Sequence, residues 1–169
     1  METTFTSAAA NKYLRKLEDE KYHLTCQENE TCTYVLAIDE EPCPPDYDYA
    51  ATTQRITEID AEVLKLRHAL HQFNARTMLP NSDMTIDEAL VAMAQLSVMA
   101  RRLQVLRSYQ PRSRVDGAYR SSRNIVEYRY ANYDIAAAEA DYQRVTEQIA
   151  DLQLKLDLVN QTETFTVNL

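Results

Sequence analysis

The sequence predicts a mainly α protein, an elongated four-helix bundle or coiled coil carrying a small, mostly antiparallel β-sheet. Three observations carry that expectation. Two segments place apolar residues at alternating intervals of three and four without a break. The 169 residues include one glycine and five prolines, too few for the many turns of an all-β fold or for a glycine-rich phosphate loop. Short stretches elsewhere switch to a period of two. The length, with 45% apolar and 26% charged residues, fits one globular domain spanning 1–169.

The first helix is expected over about 6–28, where Ala10, Tyr13, Leu14, Leu17 and Leu24 define a face that Lys21 interrupts. The second, about 51–75, carries Ile56, Ile59, Val63, Leu66, Leu70 and Phe73 at 3,4,3,4,3. The third, about 85–108, opens on Thr85-Ile86-Asp87-Glu88, a capping box in which each end residue satisfies the other's backbone amide. Its apolar face runs Ile86, Ala89, Leu90, Met93, Leu96, Ala100 and Leu103, with Leu106 beside it. The fourth, about 134–160, follows Asp134 as N-cap and repeats Ile135, Ala138, Tyr142, Val145, Ile149, Leu152, Leu156 and Val159 at 3,4,3,4,3,4,3. Such a helix is about 38 Å long, so the seam from Ile135 and Tyr142 to Leu156 and Val159 is the candidate oligomer interface. Strands are expected near 33–38 (TYVLAI), 124–131 (NIVEYRYA) and 163–169, where Phe165, Val167 and Leu169 alternate with polar residues. A C-terminal edge strand is also able to pair with a second subunit.

Composition removes several function classes. A net charge of −8 repels polyanions and anionic membranes at long range. No run approaches 18 apolar residues, and the N-terminus lacks both parts of a signal peptide. A cytoplasmic protein with reduced Cys26, Cys32 and Cys43 is therefore expected. Catalytic and metal sites find no pattern. His68 and His71 lie one turn apart but without the carboxylates of a di-iron bundle, and the one E-x-x-H, Glu20 to His23, stands alone. The three cysteines, with His23 nearby, match no zinc spacing, and buried or inert thiols are expected. Serines sit in no G-x-S-x-G context. The expectation is no enzyme, no metal and no cofactor.

Charge segregation is more informative. Residues 101–129 hold eight arginines (Arg101, Arg102, Arg107, Arg112, Arg114, Arg120, Arg123, Arg129) against Asp116 and Glu127. Residues 28–48 hold seven carboxylates and no basic residue. Arginine without lysine suits bidentate contact with phosphate or carboxylate, and Tyr109, Tyr119, Tyr128 and Tyr130 interleave with it. Two readings follow. The Arg-rich loop, 109–123, docks with the acidic loop, 39–49, within one chain or between subunits; or Arg107, Arg112, Arg114, Arg120, Arg123 and Arg129 hold nucleic acid or another polyphosphate.

TIDEALVAMAQLSVMARRLQVLR in the third helix, SSRNIVEYRYANYDIAAAEADY leading into the fourth, and LQLKLDLVNQTETFTVNL at the end carry a resemblance. Together with EEPCPPDYDYAAT before the second helix, they make the whole chain similar to the septicolysin-like family of small helical proteins of Gram-positive bacteria. The resemblance implies a helical, oligomeric fold and supplies no active site. The family name implies a cytolysin, but the chain lacks tryptophan and a basic amphipathic helix of the kind that enters membranes. The residues themselves favour a non-enzymatic, self-associating structural or interaction protein, with no membrane partner.

Overall fold

A computed structural model describes residues 2–115 and 126–169. The protein is mainly helical. Among the described residues, four helices and four short strands follow in the order β1 (Glu2–Thr6), α1 (Ser7–Thr31), α2 (Tyr49–Arg76), α3 (Ile86–Arg107), β2 (Arg112–Arg114), β3 (Tyr128–Tyr130), α4 (Ile135–Thr162) and β4 (Thr164–Asn168). Each helix lies within a few residues of its expected bounds, because each is delimited by residues that satisfy its exposed amides. Thr6 accepts from the Ala9 amide at 3.1 Å and Asp48 from Ala51 at 3.0 Å. Asp134 Oδ1 accepts from Ala136 at 2.8 Å. The capping box forms in both directions: Glu88 N donates to Thr85 Oγ1 at 3.2 Å, and Thr85 N donates to Glu88 Oε2 at 2.7 Å.

The described residues fall into two compact units. The first comprises residues up to Met78 together with Leu158–Leu169. Here β1 pairs antiparallel with β4, Phe5 opposite Phe165. The ladder lays Phe5, Phe165, Val167 and Leu169 on a core of Ala10, Leu14, Leu66 and Leu70. Phe165 sits 5.1 Å from the Phe73 ring and 6.4 Å from Phe5. The apolar faces expected on the first two helices thus meet, and their flanks are tied by ion pairs. Lys21 reaches Asp60 at 2.6 Å, Arg55 reaches Glu20 at 2.7 Å, and Arg67 pairs with Glu18. Lys21, which breaks the first helix's apolar face, is therefore a link to α2.

The second unit, Leu79–Asp157, holds α3, β2, β3 and the body of α4. It opens with a turn in which Leu79 N donates to Met84 O at 2.9 Å, and Asn81 takes φ 51°. Asparagine is among the few residues that enter this left-handed region readily. Leu79, Ile86, Ala89 and Leu103 are buried.

The strand expected at 163–169 forms over Thr164–Asn168, and the other two strand expectations need correction. Residues 33–38 form no strand; Val35 is 98% and Ile38 100% exposed. Their β-prone composition finds no edge to pair with, and a strand exists only as a partner of another. The C-terminal strand pairs with Glu2–Thr6, immediately before the first helix, a segment the sequence pattern did not mark as strand. The segment expected at 124–131 is strand only at Tyr128–Tyr130, with 124 and 125 outside the described residues. Its partner is Arg112–Arg114, which lies in the expected Arg-rich loop. Among the described residues the strands therefore make two separate two-stranded ladders rather than one sheet.

Candidate functional site

The first candidate is the arginine and tyrosine ribbon made by β2 and β3. Its register sets Arg112 opposite Tyr130, Ser113 opposite Arg129 and Arg114 opposite Tyr128. Residues directly opposite share a face, so Arg112, Arg114, Tyr128 and Tyr130 stand on one side and Ser113 and Arg129 on the other. The Arg112 guanidinium stacks 3.6 Å above the Tyr128 ring and lies 5.8 Å from that of Tyr130. Stacking leaves the N–H edge of a guanidinium free to take a planar anion. Backbone bonds from Val115 to Glu127 and from Ala131 to Pro111 extend the ladder at both ends.

Arg107 belongs elsewhere. It grips the Glu139 carboxylate with one nitrogen at 2.9 Å and 3.0 Å and covers the Tyr142 ring at 4.0 Å. It locks α3 to α4 inside the second unit, so it is not an open anion ligand. Arg120 and Arg123 lie outside the described residues. Arg129 has no ion-pair partner among the described residues. Beside the ribbon is a recess of about 270 Å³ lined in part by Tyr109, Gln110, Arg129, Tyr130, Asn132 and Tyr133.

The acidic segment forms local bonds. The Tyr47 hydroxyl donates to Glu28, which pushes its pKa up to about 12, with partial burial adding to the effect. Glu40 accepts from the Ala37 amide at 3.1 Å and Asp48 caps α2.

The second candidate is the apolar surface of α3 and α4. The expected seam of α4 lies largely within the protein: Ala138, Val145, Leu156 and Val159 are buried, and Ile135, Tyr142, Ile149 and Leu152 half-buried. The apolar surface left exposed is on α3. Val91, Val98 and Val105, seven residues apart, are 54%, 57% and 53% exposed, with Leu90 and Met99 alongside. These valines fall off the face that the sequence pattern selects for α3, which is how a second stripe escaped notice. A spacing of seven at β-branched residues was the available signal. Between α3 and α4 runs a groove of about 480 Å³, with Met84, Leu96, Met99 and Leu152 among its lining. Lys155 and Asp151 pair on its rim at 2.7 Å. By length and composition α3 is also apolar enough to cross a membrane, and only 11% of its most apolar stretch is buried.

Histidines and cysteines are dispersed. His68 Nε2 lies 2.9 Å from Gln72 Nε2, and His23 and His71 are exposed. Cys32 and Cys43 are exposed and Cys26 half-buried, so of the expected buried or inert thiols none is fully buried. Among the described residues no three metal-binding side chains converge.

Comparison with known proteins bears on the fold. No family model matches the chain, and no curated protein sequence matches it. Among solved structures, the chain is similar to a functionally unknown conserved protein from Corynebacterium diphtheriae. That crystal structure superposes with a TM-score of 0.67 at 14% identity, over 96% of this chain and 99% of the other. The likeness establishes a shared fold and assigns no activity.

Proposed function

We propose that the protein is a non-enzymatic, self-associating structural or interaction protein of the cytoplasm, and that a second copy covers the exposed valine stripe of α3. The stripe is the observation that carries this reading. An apolar helix with its buried residues on one side and three half-exposed valines at heptad spacing has the form of a coiled-coil face. A membrane span, by contrast, is apolar all round. Here Ile86, Ala89 and Leu103 are already packed inside the protein, and Arg101 and Arg102 sit next to the stripe as exposed charges. Such basic residues suit the flank of a helix pair and are costly in hydrocarbon.

Light scattering on the eluting protein tests the proposal. A discrete oligomer that Val98→Lys reduces to a monomer supports it. A monomer at all concentrations refutes it, and release of dye from lipid vesicles would favour instead the cytolytic activity that the family resemblance implies.

A further inference from the structure

The recess beside the β2–β3 ribbon gathers three kinds of chemistry within one unit. Tyr109 and Tyr133 line it, the Tyr133 hydroxyl donating to the Leu106 carbonyl at 2.5 Å, and the ring-to-ring contacts among the described residues all lie elsewhere, at Phe5, Tyr13, Phe73 and Phe165. The amides of Gln110 and Asn132 line it with no side-chain hydrogen-bond partner among the described residues. Arg129 also lines it and has no ion-pair partner among the described residues. At about 270 Å³ the recess lies just below the usual range for small-molecule sites, which suits a single ring system.

A carboxylate would use the arginine alone, and an apolar guest the rings alone. A nucleoside phosphate uses all three: a base stacks on tyrosine, carboxamides pair with its hydrogen-bonding edge, and guanidinium takes the phosphate. We infer that this recess binds a nucleoside phosphate, its base among the tyrosines and its phosphate on Arg129. A free nucleotide and one unit of a single strand share this chemistry. The net charge of −8 opposes a long polyanion. The inference does not depend on self-association through α3.

Equilibrium dialysis of the full chain tests it, with AMP, adenosine and an oligodeoxyadenylate of about ten residues as probes. AMP is expected to saturate at one per chain with Kd below about 1 mM. Arg129→Gln should weaken AMP about tenfold and leave adenosine unchanged. Tyr109→Phe, which keeps the ring, should leave both unchanged, whereas Tyr109→Ala weakens both. An oligonucleotide that binds more tightly than AMP and loses affinity steeply with salt identifies the single strand as source; equal affinity with shallow salt dependence identifies the free nucleotide. Absence of saturable binding by AMP and oligonucleotide overturns the inference. So does AMP binding that Arg129→Gln leaves unchanged. A peptide of residues 36–48 that binds where AMP does not would overturn it in favour of carboxylate docking.

Discussion

Replacing Val98 with lysine separates a solvated α3 from one covered by a second copy. Val98 is 57% exposed, with Val91 and Val105 at 54% and 53%, so about half of each side chain remains to be removed from water. Full burial of a valine is worth about 1.5 kcal/mol or more, and the exposed half therefore roughly 1 kcal/mol. Three valines from each of two copies contribute about 6 kcal/mol to association before its entropic cost is subtracted. Val98→Lys in both copies removes about 2 kcal/mol of this and sets two ammonium groups in the seam, raising the dissociation constant at least about 30-fold. On a solvated helix the same change stays within about 0.5 kcal/mol, and lysine has the better helix propensity. Sedimentation velocity over about a hundredfold range of concentration reads the mass, and thermal melts at both ends read the linkage. A variant that keeps the wild-type mass and concentration dependence would refute the reasoning, because no stripe covered by a partner tolerates that charge.

Other expectations follow from the same structure. Leu66→Ala, at a fully buried position between α1 and α2, should cost about 2 to 5 kcal/mol in urea unfolding; a loss under about 1 kcal/mol would mean that the core does not depend on it. Thr85→Ala should cost about 1 kcal/mol by removing the α3 cap. Its partner Glu88 has its pKa held below 4.5 by the hydrogen bonds from the Thr85 amide and hydroxyl. A depressed folded-state pKa gives stability that is present above the unfolded value and lost as pH falls through the folded one. The wild type should therefore lose more stability below about pH 4.5 than Glu88→Gln, and parallel melting curves would exclude the linkage. Glu28→Gln should lower the Tyr47 pKa from about 12 toward its ordinary 10.0, read as phenolate absorbance during alkaline titration.

The helices were legible because their determinants are local. A capping box, an Asp N-cap and a 3,4 repeat act within a few residues: Thr85 and Asp134 cap as their spacing requires, and Ala138, Val145, Leu156 and Val159 of the α4 repeat are buried within the chain itself. Strand pairing is not local. TYVLAI at 33–38 and TFTVN at 164–168 look alike as strings, yet only the second forms a strand, because Glu2–Thr6 is there to meet it. The sites divide in the same way. Sequence spacing grouped the arginines, but Arg107 spends its charge on Glu139 while Arg112 and Arg129 remain on the ribbon.

Composition and periodicity alone thus determined the helical class, the helix bounds and the segregation of charge, since these depend on neighbours in the chain. Which apolar stripe is buried, which arginine is compensated and which strands pair were decided by tertiary structure. Each depends on a partner far away in sequence, and a long-range pairing is chosen by competition among all available edges and faces rather than by the segment's own composition.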